Sequence, residues 1–226
     1  MQRGIFFECC CQSVRDAVEA QEGGARRIEL CSRLEVGGVS PSERLIAEVL
    51  EAVSIPVNVL VRPREGNFCY SPSEAEEILE HIAICKRLKV NGVVIGALTP
   101  DGQIDLPLVS RFIRAARPLE VTFHRAFDDC AEPLRALEDI IALGCDTLLT
   151  SGHAPSALEG SALISGLVKQ AAGRISIMPG AGINPSNIRQ IVLATGAGQY
   201  HGSARGPAGT TSRTVVGSIV NAFSRG

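Results

Sequence analysis

Short apolar runs rich in β-branched residues recur along the whole chain and alternate with longer stretches of helical pattern. Their starts are roughly 22 to 35 residues apart, the length of one strand, one helix and two short loops. The pattern therefore predicts eight βα units. The predicted strands are Ile5 to Cys10, Arg27 to Cys31, Val57 to Arg62, Gly92 to Gly96, Glu120 to His124, Thr147 to Ser151, Arg174 to Pro179 and Gln199 to Ser203.

Capping residues mark the helices between these runs. Ser40-Pro41-Ser42-Glu43 and Ser71-Pro72-Ser73-Glu74 each combine an N-cap serine, a proline at the first helical position and a capping-box glutamate. Asn184-Pro185 predicts another helix start. Glycine then stands where a left-handed C-cap is favoured. These glycines are Gly23-Gly24, Gly144, Gly173 and Gly196.

Eight βα units whose strands are apolar on both faces predict an α/β protein with a parallel (β/α)8 TIM barrel. The punctuation is regular from end to end, and no linker or low-complexity segment interrupts it. We therefore expect residues 1–226 to form one barrel domain. A doubly wound open sheet is the alternative, but Glu8 to Ser13 lacks the glycine fingerprint expected after its first strand.

Composition narrows the range of partners. Of the 226 residues, 45% are hydrophobic, and 22 Lys and Arg against 24 Asp and Glu give a net charge of -2. Such a chain has no basic field to hold nucleic acid or an anionic membrane. The N-terminus has no stretch typical of a signal peptide, so we expect a cytoplasmic protein and interpret its eight cysteines as buried thiols or metal ligands.

Polar side chains are unusually frequent at the predicted strand ends, where barrels carry their functional groups. Because side chains alternate along a strand, Glu8, Glu29, Arg62 and His124 are expected to converge on one mouth, with Asp128 just beyond His124. We propose these five as catalytic candidates, with His124 as a general acid or base. A structural Glu-Arg network closing the barrel is the alternative.

The segments after the seventh and eighth strands predict an anion site. Gly180 and Gly182 precede a predicted helix start at Asn184, where backbone N–H groups bind anions. Ser203 and Arg205 follow the eighth strand, and the loops after strands seven and eight hold phosphate in many barrels. We interpret these segments as a phosphate-binding loop, unless the glycines only form tight turns.

Cys10 and Cys31 end neighbouring predicted strands, whose axes are typically ~4.8 Å apart. Two soft thiolates at that spacing suit a low-coordinate Cu(I) ion. Two buried cysteines without any ligand are the simpler alternative, because free cysteine behaves as a small hydrophobe.

These segments also carry a resemblance to the CutC family of copper homeostasis proteins. The similar stretches run from about residue 5 to residue 205. They are Glu8 to Cys10, Gly23 to Cys31, Gly37 to Ser42, Arg62 to Arg64 with Phe68, Tyr70 and Ser71, Val121 to Asp128, Leu149 to Gly152, Met178 to Ile183 and His201 to Arg205.

The resemblance implies a cytoplasmic TIM barrel with a role in copper tolerance or trafficking, and it directs attention to Cys10 and Cys31. Two functions stay open: a Cu(I)-binding homeostasis protein, and an enzyme acting on a small phosphorylated or anionic metabolite by acid/base chemistry. We also expect a homo-oligomer. The sequence departs from its relatives after Arg205, where Gly206 to Thr211 leads quickly to a last helix.

Overall fold

The protein is described by a computed structural model that covers residues 5–223. Eight parallel strands and eight helices alternate along it. The strands are β1 Phe6–Cys11, β2 Arg27–Leu30, β3 Val57–Leu60, β4 Gly92–Ile95, β5 Glu120–Phe123, β6 Thr147–Thr150, β7 Ser176–Pro179 and β8 Gln199–Gly202. The helices are α1 Val14–Glu22, α2 Glu43–Ala52, α3 Pro72–Leu88, α4 Leu106–Ala116, α5 Pro133–Leu143, α6 Ser161–Ala171, α7 Ile188–Thr195 and α8 Arg213–Phe223.

The strands form one nearly closed barrel in the order β7-β6-β5-β4-β3-β2-β1-β8. The predicted (β/α)8 fold is thereby confirmed, and the open-sheet alternative is not. Residues 1–4 and 224–226 of the predicted domain lie outside the described residues.

The predicted helix starts agree with the structure in one case and differ in two. Ser71 caps α3 through the predicted capping box with Glu74. Helix α2 is capped by Ser42 instead of Ser40, because the Ser40 hydroxyl is bonded to the main chain of Arg62. Helix α7 begins at Ile188 instead of Asn184, because Asn184 to Asn187 form a turn of side-chain hydrogen bonds.

The apolar core lies between the strands and the surrounding helices. Strand residues that point outward, such as Cys9, Cys11 and Ile28, pack there against the helices. Cys10 and Cys31 point the other way and form a small apolar cluster with Leu60 and Val94 inside the barrel. Strand alternation thus divides the run Cys9-Cys10-Cys11 between two environments.

Register places the inward polar residues beside one another. On β1, Glu8 lies opposite Arg27 of β2 and His201 of β8, while Cys10 lies opposite Glu29. Glu8, Arg27 and His201 therefore form one layer of side chains inside the barrel, and Cys10 and Glu29 lie in the next layer along the strands. In the part of the chain that the structure covers, no helix is long and apolar enough to cross a membrane.

Candidate functional site

A cavity of about 510 Å³ opens where the strands end, on the barrel face that carries function in this fold. Seven of the predicted residues line it, together with His201. The seven are Cys10, Glu29, Arg62, His124, Asp128, Gly182 and Ser203. Glu8 and Cys31 are fully buried behind this wall, and Arg205 is exposed on the loop after β8.

The Cys10 and Cys31 sulfur atoms lie 3.5 Å apart, and both residues are buried. The Cys10 thiol also donates to Glu29 Oε1 at 3.5 Å. The Cys31 thiol, burial and the Glu29 carboxyl together raise the pKa of Cys10 well above its ordinary value. Both sulfurs are on the same side of the barrel wall, as a shared ligand requires.

Glu8 lies at the centre of a buried charge network. It accepts hydrogen bonds from Arg27 Nε and from His201 Nδ1, the latter at 2.8 Å. Burial opposes ionisation of Glu8, but Arg27 and His201 outweigh it and hold the pKa at about 2. Arg27 also donates to Gln199 Oε1 at 2.8 Å. Glu8 is therefore an anion fixed by two partners, beneath the cavity instead of in it.

Glu29 is the carboxyl group that faces the cavity with an unused oxygen. Burial raises its pKa, and the negative charge of Glu8 adds to this effect, against the opposing influence of His201. Oε1 accepts the Cys10 thiol, whereas Oε2 is buried and has no partner among the described residues. A ligand atom at Oε2 would supply the missing contact.

His124 faces the cavity as a hydrogen-bond donor. The Ala126 amide donates to Nδ1 at 3.2 Å, so the neutral ring carries its proton on Nε2. Burial and the nearby Arg62 charge lower the pKa of His124 to about 3. Nε2 is buried without a partner within residues 5–223. This geometry favours a neutral donor to a ligand oxygen, whereas the general acid or base role of His124 stays a prediction.

Arg62 is a buried cation that no carboxylate within residues 5–223 neutralises. Its hydrogen bonds go to the main-chain carbonyls of Val36, Gly38 and Gly66, and the guanidinium lies 4.8 Å from the Phe68 ring centroid. A buried charge of this kind favours an anionic ligand nearby.

Asp128 lines the cavity but its oxygens are already engaged. It accepts from Thr150 Oγ1 at 2.5 Å, from Ser151 N and Oγ, and from Arg125 Nε at 2.8 Å. Burial would raise the pKa of Asp128, but these donors together lower it. Asp128 thus anchors the loop after β6.

Only part of the predicted anion cradle is open. The Gly180 amide donates to Thr150 O at 2.9 Å, and the Asn184 amide donates to Asn187 Oδ1 at 2.9 Å. These two groups are therefore not available to a ligand. Gly182 and Ser203 do border the cavity, and Gly182 has a φ of +71° that favours glycine.

Two inward residues were absent from the predicted set of site residues. Arg27 is two positions before Glu29, so strand alternation alone places both on one face. His201 follows from the same rule applied to β8. It lies beside Cys10 and Glu29, with one ligand atom of each residue within 4.8 Å of the others.

Comparisons with known proteins identify the family. The CutC family profile matches residues 5–206. The family protein CutC of Parabacteroides distasonis is 51% identical over 201 residues, which cover 88% of this chain and 83% of the relative. A Streptococcus agalactiae structure described as copper homeostasis protein CutC is 32% identical with a TM-score of 0.85, over 88% of this chain and 98% of that one.

More distant structures share only the fold. Phosphoribosyl anthranilate isomerase of Thermotoga maritima is 12% identical, with a TM-score of 0.65 over 97% of this chain and 98% of that one. The family profile and the relatives confirm the resemblance inferred from the sequence motifs. The chain belongs to the CutC family.

Proposed function

We propose that the protein binds Cu(I) through the thiolates of Cys10 and Cys31, in line with the copper homeostasis role named for its S. agalactiae relative. The observation that carries this proposal is the 3.5 Å separation of two buried sulfur atoms. A metal between two thiolates needs sulfurs up to about 4.6 Å apart, twice a bond near 2.3 Å. The two sulfur atoms would therefore move apart by up to about 1.1 Å when the ion binds.

The surroundings suit a soft monovalent ion. Leu60 and Val94 complete an apolar wall around the sulfurs, which disfavours strongly hydrated cations. Thiolates are soft ligands that select Cu(I) over hard ions. Binding must displace the thiol protons, so copper affinity is expected to rise with pH.

Replacing both cysteines, as Cys10→Ala with Cys31→Ala, is expected to abolish tight Cu(I) binding. The loss should exceed the roughly 10–100-fold effect of removing an outer-shell partner, because both ligands are gone. The measurement is a titration under reducing, oxygen-free conditions against a chromophoric Cu(I) chelator.

The matched control is Cys9→Ala with Cys11→Ala, which removes two thiols of the same strand that point outward into the core. It should keep the parental Cu(I) affinity. If the two double variants bind Cu(I) equally well, the assignment to Cys10 and Cys31 is wrong.

A second function, an enzyme acting on a small anionic metabolite, is favoured by the buried Arg62 charge. Arg62 and the neutral His124 donor face one cavity, and Gly182 and Ser203 border the same space. In this proposal a phosphate or carboxylate lies on the side of the loops after β7 and β8. His124 Nε2 donates to a ligand oxygen, and Glu29 is the group able to exchange a proton.

Phosphate or sulfate is expected to raise the melting temperature of the protein. At ten times the dissociation constant the gain is about 1.4 kcal/mol, from RT ln(1 + [L]/Kd). Gly182→Leu should abolish this gain, because a Cβ at Gly182 would lie 3.3 Å from Ser156 Cβ and a side chain at this positive φ would displace the loop that borders the cavity. The measurement is thermal unfolding across a phosphate series at constant ionic strength.

Gly196→Leu is the control, since Gly196 also has a positive φ and ends α7 away from the cavity. It carries a similar backbone cost and should retain the phosphate response. A response that is the same in both variants would count against an anion site at the loops.

We further propose a cytoplasmic location, supported by eight cysteines that are all free in the structure, as a reducing compartment favours. Homo-oligomer formation stays a prediction.

A further inference from the structure

Three different ligand types meet at the cavity wall next to the cysteine pair. Cys10 comes from β1, Glu29 from β2 and His201 from β8, and β1 pairs with both neighbours. One ligand atom from each lies within 4.8 Å of the others. The barrel register itself therefore places a sulfur, an oxygen and a nitrogen around one point.

His201 is oriented as metal-binding histidines are. Its Nδ1 donates to Glu8 Oε1 at 2.8 Å, which leaves Nε2 as the nitrogen for a ligand. Glu8 is itself fixed by Arg27. A carboxylate behind the ring sets its tautomer and orientation, and this arrangement recurs behind the histidine ligands of metal sites.

A second, independent observation that points to a bound ligand is the carboxyl group of Glu29. Its Oε2 is buried and makes no hydrogen bond within residues 5–223. An unpartnered buried polar atom is unfavourable unless a ligand or water completes its hydrogen bonding. A cation at this point would remove that cost.

We infer that Cys10, Glu29 and His201 form a site for a divalent ion of the Zn²⁺ type, with a fourth position open to the cavity. One sulfur, one nitrogen and one carboxylate oxygen are the ligands that Zn²⁺ accepts, and three protein ligands with an open position are typical of catalytic zinc. A thiolate and a carboxylate balance the charge of the ion.

This site shares Cys10 with the proposed Cu(I) site but does not use Cys31. The two ligand sets therefore respond to different substitutions, so an experiment can disprove one proposed site without disproving the other. Glu8 acts in this site as a positioning residue for His201, and it touches no ligand itself.

The test is a Zn²⁺ titration of the purified, metal-free protein against a chromophoric chelator, repeated with Cu(I). We expect one Zn²⁺ per chain. His201→Gln and Glu29→Gln should each weaken Zn²⁺ binding by at least about 10-fold and leave Cu(I) affinity near that of the parent. Cys31→Ala should weaken Cu(I) binding and leave Zn²⁺ affinity near that of the parent.

Co²⁺ gives a second readout that does not depend on activity. Bound at this site, it should show the absorption of a four-coordinate ion with a thiolate charge-transfer band, and Cys10→Ala should remove that band. Circular dichroism and thermal unfolding verify that each variant is folded. The inference is overturned if the parent binds no Zn²⁺, or if Cys31→Ala weakens Zn²⁺ as much as His201→Gln does.

Discussion

Replacing Glu8 by glutamine is expected to lower the free energy of unfolding by about 3–5 kcal/mol, because it leaves the buried Arg27 guanidinium without its anion. Glu8 is fully buried, and Arg27 is 7% exposed. The amide can still contact its neighbours, but it provides no charge to offset the desolvated guanidinium. Chemical denaturation at neutral pH measures the loss.

Two controls separate charge from shape in this experiment. Glu138→Gln breaks the Arg174–Glu138 pair, which is about half exposed on both sides, and should change stability little. Adding Arg27→Gln to Glu8→Gln removes the unpaired cation and should recover part of the loss. If the double variant is less stable than the sum of the two single changes, the Glu8–Arg27 pair is not what stabilises this layer.

The same pair predicts a dependence on pH. The pKa of Glu8 is about 2 in the folded protein, against an ordinary value of 4.5. Its contribution is therefore present above about pH 4.5 and is lost as the pH falls toward 2. The stability difference between the parent and Glu8→Gln should shrink over that range.

Much of the fold followed from local patterns in the sequence. Strand number and order came from the repeated apolar runs, and the Cys10–Cys31 contact followed from neighbouring strand ends and alternation. These features depend on residues close together in sequence or on adjacent strands. They are accessible without knowledge of the closed barrel.

The Glu8–His201 pair was harder to predict because it depends on closure of the barrel. His201 and Glu8 are 193 residues apart and meet only because β8 pairs with β1. The role of His124 depends on a single backbone amide, that of Ala126, which fixes the ring tautomer. The start of α7 moved because Asn184 Oδ1 accepts the Ser186 amide and Asn187 Oδ1 accepts the Asn184 amide in a turn that precedes the helix.

The second large effect is expected at Gly160, the residue before α6. A Cβ built at Gly160 would lie 1.9 Å from the Ser151 carbonyl oxygen and 2.9 Å from the Gly152 Cα atom. Both contacts are with backbone, so no side-chain rotation relieves them. Gly160→Ala is therefore expected to destabilise the protein by about 3 kcal/mol, the upper part of the range for overpacking.

Gly166, in the middle of the same helix, provides the matched comparison. A Cβ there meets no atom within 4 Å, so Gly166→Ala should stabilise the protein by about 0.5–1 kcal/mol through helix propensity. Replacing glycine by alanine is thus expected to increase stability at Gly166, inside α6, and to decrease it at Gly160, just before α6. Chemical denaturation of both variants is the measurement, and equal stability would disprove the close approach of Ser151 and Gly160.

Because Ser151 binds Asp128 at the cavity rim, Gly160→Ala should also weaken phosphate binding, whereas Gly166→Ala should not.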